Sequence, residues 1–346
     1  METSTGRVKA IANLGRTKLG TYYEKLNYAV GESHEPGSTF KLISIIAALE
    51  DKVVDENTLI NTGNGELTFY GKYKVRDSKK GGYGAITAGK VLEVSSNTGI
   101  VKIIYENYKA NPEKFIDRLF NMGINKTIGL PIKGEGKPKV PYPNDTDWDG
   151  LDLPWMAYGY GVSMTPLQIL TFYNAIANSG EMVKPRFIEK IGAIGELPQQ
   201  IFRREILNPS ICSNSTIKKV KNMMFNVVDK KWGTANNIKD KDFAIAGKTG
   251  TCQVDYSRDD KEVQYISSFV GYFPADKPKY SCIVVIHRPN KKLGYYGSTV
   301  AAPVFKKIAK KIYTSTTEEV HLDFNKVRSL STDLMKINSE SKYKSQ

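Results

Sequence analysis

Ile266-Ser267-Ser268-Phe269-Val270-Gly271-Tyr272-Phe273, then Pro274-Ala275-Asp276-Lys277-Pro278, then Tyr280-Ser281-Cys282-Ile283-Val284-Val285-Ile286, is the stretch that decides the fold. Aromatic and β-branched residues crowd both flanks, and prolines with an aspartate break the run between them. Such a pattern is an antiparallel hairpin. Upstream, Phe243 to Ala246 is a third strand-like run, and downstream Val304 to Ile312 reads as a final helix. Near the start, Val8, Ala10, Ala12 and Leu14 alternate at strand period, which predicts an early strand joining the late sheet.

Helices fill the middle. Phe40, Leu42, Ile43, Ile45, Ile46, Ala47 and Leu49 surround their helix instead of striping it, which marks a core helix. Val94 to Tyr105 and Pro112 to Phe120 are helical within a loop-rich stretch from Asp51 to about Asp152. Thr165-Pro166 opens another helix with a hydroxyl at the cap and proline at the first position, and Gly180 closes it. Ser215 to Val228 repeats the pattern, with Ser215 read as the cap. The pattern predicts an α+β fold: an antiparallel sheet flanked by helices, with an inserted all-helical subdomain. The expected sheet part is about 1–40 and 215–312, the insertion about 41–214, and 313–346 a polar tail or linker. In that tail Val320, Phe324, Val327 and Leu334 keep a helical spacing. No internal repeat is evident.

Composition narrows the function. Lys and Arg outnumber Asp and Glu by 50 to 36 in 346 residues, a net charge of +14 that favours contact with something acidic. Nucleic acid, an anionic membrane surface and a carboxylate-rich polymer all fit, although no RNA- or DNA-binding motif is recognisable. Three cysteines without C-x-x-C spacing argue against a disulfide framework and a zinc finger. With three histidines and no H-E-x-x-H, a metal site has little material, and no cofactor is expected. No run approaches the ~18 apolar residues of a spanning helix, and no signal-peptide pattern precedes the first element. The chain as given therefore reads as soluble, either a compact secreted form or one whose upstream part has been removed.

Two nucleotide and hydrolase motifs fail. Gly161-Val162-Ser163-Met164-Thr165 departs from G-x-S-x-G at its last position. Asp242 to Thr249 imitates a P-loop, but Asp242 would put a carboxylate where phosphates lie, and Gly250-Thr251-Cys252-Gln253 continues as strand instead of opening a helix.

Ser38-Thr39-Phe40-Lys41 is an S-x-x-K at the start of the core helix. Spacing i to i+3 puts both side chains on one face, and a lysine whose pKa is depressed by burial or a second cation can serve as base to the serine. The same pattern occurs at Ser215/Lys218, Ser339/Lys342 and Ser341/Lys344, but Ser215 is explained as a cap and the others lie in the polar tail. Ser95-Ser96-Asn97 is the single S-x-N, at a loop-helix junction, and Lys248-Thr249-Gly250 the single K-T-G, on an expected strand. Read one at a time, Ser38 and Ser95 are helix caps and Gly250 a bulge.

In the order S-x-x-K, S-x-N, K-T-G, these three motifs resemble the set of penicillin-binding proteins and class A β-lactamases. The wider match resembles the transpeptidase domain of class B penicillin-binding proteins, most of all the division-specific type that builds septal peptidoglycan. It takes in Glu35 to Lys41, Ser95 to Gly99, Gly159-Tyr160-Gly161, Thr165-Pro166-Leu167-Gln168, Ala246 to Thr251, Phe269 to Asp276 and Tyr296-Gly297 through Phe305.

The resemblance implies a D,D-transpeptidase fold and activity acting on D-Ala-D-Ala stem peptides, with β-lactams as covalent mimics. It implies Ser38 as nucleophile, Lys41 as its base, Ser95 as proton relay, Asn97 orienting Lys41 and the substrate amide, and Lys248 keeping the local field positive. Thr249 and Thr251 would take the substrate carboxylate, Gly250 would admit an extended substrate, and the backbone N–H groups of Ser38 and Thr251 would form the oxyanion hole. No E-x-x-L-N of the class A deacylating type is present, which disfavours a β-lactamase. Divisome or glycosyltransferase proteins are the implied partners. A membrane anchor outside this chain would hold it at the periplasmic face of the inner membrane. A β-lactam sensor or D,D-carboxypeptidase of the same fold, and a basic nucleic-acid binder, are the competing readings.

Overall fold

Several helix starts in this protein follow local capping chemistry, and the sheet follows the run of strand formers near the end of the chain. The computed structural model describes residues 1–24, 26–193, 197–254 and 263–320, with backbone alone over 316–320. The main helices are α1 (Lys41–Glu50), α2 (Ala88–Glu93), α3 (Asn97–Tyr108), α4 (Pro112–Asn121), α5 (Pro166–Ala177), α6 (Asn214–Asp229) and α7 (Ala302–Val320). The main strands are β1 (Ala246–Val254), β2 (Gln264–Phe273) and β3 (Tyr280–His287), antiparallel in the order β1-β2-β3. Their register places Lys248 opposite Val270 and Val270 opposite Ile283. Residues Met1–Phe305 form one compact unit, and Lys306 onward a second.

Thr165 opens α5 as its hydroxyl and proline predict. Its Oγ1 accepts the Gln168 N–H at 3.2 Å, while Gln168 Oε1 accepts the Thr165 N–H at 2.8 Å, a reciprocal cap that satisfies two otherwise orphan donors. All of α5 is buried, packed on β2 and β3. Helix α1 is buried from Lys41 to Leu49. Fully burying Leu42, Ile43, Ile45 and Ile46 contributes roughly 1.5–3 kcal/mol each, enough to offset sinking one lysine amine among them.

Several sequence expectations shift. The early strand is not at Val8 to Leu14: the segment that joins the sheet edge is Glu2 and Thr3, with Glu2 bridged to Tyr280 and the Thr3 N–H on Lys279 O. Leu14–Arg16 instead pairs with Tyr22–Glu24 in a separate hairpin that leaves Leu14 65% exposed. Of the alternating residues only Leu14 lies in a strand, and 8–13 form none. Strand β1 starts at Ala246, after Phe243 to Ile245, because Phe243 turns to pack on Phe273. The middle of the chain is not all-helical. Four two-stranded antiparallel pairs accompany its helices among the described residues, including Glu66–Phe69 with Tyr73–Arg76. Helix α6 is capped by Ser213, which accepts the Thr216 N–H, and not by Ser215. The chain remains helical through Val320; the spaced positions Phe324, Val327 and Leu334 lie outside the described residues.

Candidate active site

Hydrogen bonds with Gly159, Pro36 and Tyr173 hold the turn that carries Ser38. Gly37 to Thr39 form a single 3-10 turn ahead of α1. Gly37 has φ +53° and donates its N–H to Gly159 O at 3.1 Å. A Cβ on Gly159 would lie 2.1 Å from Gly37 O, so only glycine admits this approach. Thr39 Oγ1 donates to Pro36 O at 2.8 Å, and the buried Tyr173 hydroxyl of α5 donates to Thr39 O at 2.8 Å. Ser38 itself is half-buried, caps nothing, and its hydroxyl has no hydrogen-bond partner among the described residues.

Lys41, one turn further, is fully buried. Its Nζ donates to Ser95 O at 2.6 Å and to Asn97 Oδ1 at 2.5 Å, with Ser95 Oγ at 3.2 Å. Burial lowers its pKa to about 7, and the Asp77 carboxylate pulls the other way. A neutral amine has two N–H donors and one lone pair. The Ser95 and Asn97 oxygens take the donors, which leaves the lone pair to accept a proton. In this resting arrangement Lys41 makes no hydrogen bond to Ser38.

The S-x-N sits where helices α2 and α3 break apart. Ser96, and not Ser95, caps α3 by accepting the Gly99 N–H at 2.9 Å. Ser95 adopts φ +57°, a left-handed backbone uncommon outside glycine, and that twist turns both its carbonyl and its hydroxyl toward the lysines. Asn97 Nδ2 donates to Arg76 O at 2.6 Å, so its Oδ1 faces Lys41.

Lys248 enters from β1, also fully buried, and its Nζ donates to Ser95 Oγ at 2.8 Å and Thr249 O at 3.0 Å. Its pKa lies well below the ordinary lysine value, first through burial and then through Lys41. The positive neighbour expected to neutralise Lys41 is thus itself driven toward neutrality, and burial is the larger cause for both amines.

Thr249 and Thr251 share the opposite face of β1. Thr249 Oγ1 lies 3.0 Å from Thr234 Oγ1, and Thr251 Oγ1 accepts the Gly297 N–H at 3.1 Å. A Cβ at Gly250 would meet Ser268 Oγ at 2.3 Å and Thr39 Cγ2 at 2.9 Å. The missing side chain therefore makes room for the turn that carries Ser38. A Cβ on Gly37 would lie 3.1 Å from Thr251 O, so turn and strand run side by side.

The structure thus gathers Lys41, Ser95, Asn97 and Lys248 into one hydrogen-bonded cluster behind the Ser38 turn, with Gly250 and Thr251 against that turn. Asp77, Arg76 and Thr234 belong to the same surroundings and were not legible, since no motif spacing ties them to the other three segments. Cys252, adjacent to Thr251, is 2% exposed with Sγ 3.6 Å from Glu35 Oε2, and none of the three cysteines is in a disulfide. Among the described residues no group of three His, Cys, Asp or Glu side chains could hold a metal ion, and no helix is long and apolar enough to cross a membrane.

The chain is similar to known proteins along most of its length. Residues 1–310 match the penicillin binding protein transpeptidase domain. The chain is 32% identical over 286 residues to the peptidoglycan D,D-transpeptidase FtsI of Buchnera aphidicola subsp. Baizongia pistaciae, covering 83% of this chain and 46% of that protein. It is 29% identical over 282 residues to the stage V sporulation protein D of Bacillus subtilis, covering 80% and 42%. The chain thus spans about half the length of these curated relatives. Its fold superposes on the apo transpeptidase domain of Burkholderia pseudomallei penicillin-binding protein 3 with TM-score 0.72 and 27% identity, covering 93% of this chain and 87% of that one. The chain belongs to the penicillin-binding protein transpeptidase domain family.

Proposed function

We propose that this chain is the catalytic unit of a peptidoglycan D,D-transpeptidase. The observation that carries the reading is the buried amine of Lys41, held by Ser95 and Asn97 one helical turn from an unpartnered serine hydroxyl. Ser38 Oγ attacks the carbonyl of the penultimate D-Ala of a stem peptide, and its proton passes to Lys41 Nζ. Hydrogen bonds of this kind commonly close only when substrate is in place. The tetrahedral oxyanion is taken by the backbone N–H groups of Ser38 and Thr251; losing one such donor costs roughly 3 kcal/mol.

The C–N bond then breaks, and the departing D-Ala amine receives a proton through Ser95, which touches both lysines. Thr249 and Thr251 hydroxyls take the terminal carboxylate. An amine of a second stem peptide attacks the resulting ester, forms the cross-link amide and returns a proton to Ser38. A β-lactam follows the first half only: its ring opens on Ser38, and the tethered leaving group blocks the second half. The resemblance of the motifs to the division-specific type extends the proposal to septal synthesis, with divisome or glycosyltransferase partners at the periplasmic face of the inner membrane.

The test supplies a stem pentapeptide with an acceptor amine and separates the products. Cross-linked dimer plus free D-Ala supports transpeptidation. Free tetrapeptide alone identifies a D,D-carboxypeptidase, and neither product, with one acylation per molecule by a β-lactam, identifies a sensor.

A further inference from the structure

Asp77 follows the hairpin Glu66–Phe69/Tyr73–Arg76 and is half-buried, its own N–H held by Gly65 O at 2.9 Å. Its carboxylate collects the start of α3. Oδ1 accepts the Asn97 N–H at 2.6 Å and the Thr98 N–H at 3.0 Å, Oδ2 accepts the Thr98 hydroxyl at 2.8 Å, and the Ser96 hydroxyl lies 3.0 Å from both oxygens. An anion at the N-terminus of a 12-residue helix also meets the positive end of its dipole. One residue earlier, Arg76 O holds the Asn97 amide. A single hairpin end therefore grips the residues on either side of the Asn97 side chain and the residue that follows Ser95.

We propose that Asp77 is a positioning residue for the reaction: by clamping Ser96, Asn97 and Thr98 it holds the Asn97 amide and the twisted Ser95 against Lys41. The inference rests on the functional reading above. A plain helix cap would need only one or two of these bonds. Here the carboxylate reaches three consecutive residues of the S-x-N junction, and its charge reaches the Lys41 amine. The titratable groups facing Asp77 are Lys41 and Tyr83, and Lys248 faces Lys41 in turn. Neighbouring cations turn away, Arg76 to Glu66 at 2.7 Å and Lys79 over the Tyr83 ring at 5.2 Å.

The test measures acylation by a fluorescent penicillin against pH in wild type, Asp77→Asn and Asp77→Ala. Asparagine keeps Oδ1 for the Asn97 and Thr98 amides and removes the charge. Its plateau rate stays within a few fold of wild type, while the midpoint of the profile moves down by roughly one pH unit, because Lys41 loses the anion that favours its protonated form. Alanine loses the clamp, and the plateau falls about 100-fold, the scale of a misplaced catalytic group. Hydrogen exchange at the Asn97 and Thr98 amides, fast in Asp77→Ala and slow in Asp77→Asn, reads the clamp independently of labelling. The proposal is overturned if both variants keep the wild-type rate and midpoint. It is equally overturned if their losses only track the folded fraction, or if exchange at these amides is unchanged in Asp77→Ala. An unlabelled wild type would instead defeat the functional reading, and the exchange comparison would still decide the clamp.

Discussion

Titrating Lys41 should control the rate at which Ser38 is acylated. An amine at the ordinary lysine value of 10.5 is neutral in about one molecule in 3,000 at pH 7, whereas burial brings Lys41 to about 7, where about half is neutral. The buried position thus multiplies the available base roughly 1,600-fold, equivalent to about 4 kcal/mol. Stopped-flow acylation with a fluorescent penicillin between pH 5 and 10 should give a rate that falls about tenfold per unit below pH 7 and levels off above it. Lys41→Arg, whose guanidinium cannot be deprotonated, should be silent throughout. A rate that keeps climbing through pH 9 to 10, or one flat from pH 5 to 9, would refute the claim that burial prepares this base.

Other perturbations test the scaffold. Gly250→Ala drives a methyl into Ser268 Oγ and Thr39, so acylation should fall sharply while denaturant melts lose only about 1–3 kcal/mol; an unchanged rate would show that the turn and strand need not touch so closely. Lys41→Met should abolish labelling and change the pH dependence of stability. Because the folded pKa of about 7 lies below the unfolded 10.5, the unfolded wild type binds more protons between these values, and its stability rises with pH across that window. The stability of Lys41→Met relative to wild type should therefore be greatest below pH 7 and decline toward pH 10.5; chemical denaturation at pH 6, 8 and 10 checks this, and a constant difference contradicts it.

What the sequence disclosed and what it withheld separate along physical lines. Ser38 with Lys41, and Lys248 with Gly250, were legible because each pair lies within one helical turn or one strand, where spacing dictates direction. The β2–β3 hairpin was legible for the same reason. Asp77 was not, since a carboxylate 18 residues before Ser95 acquires its partners only when the Glu66–Arg76 hairpin folds back on α3. The cap slipped by one residue, from Ser95 to Ser96, because adjacent serines offer equal hydroxyls and only the left-handed turn at Ser95 decides between them. The early strand failed differently. Alternation from Val8 to Leu14 carried no information about whether a partner strand lay alongside, and the edge of β3 is met by Glu2 and Thr3.

The most direct measurement is peptide mapping by mass spectrometry after incubation with a penicillin. The account predicts one adduct per chain, of the intact penicillin mass, on the hydroxyl of Ser38, and none in Ser38→Ala. An adduct on another residue, or labelling that survives in Ser38→Ala, would contradict it.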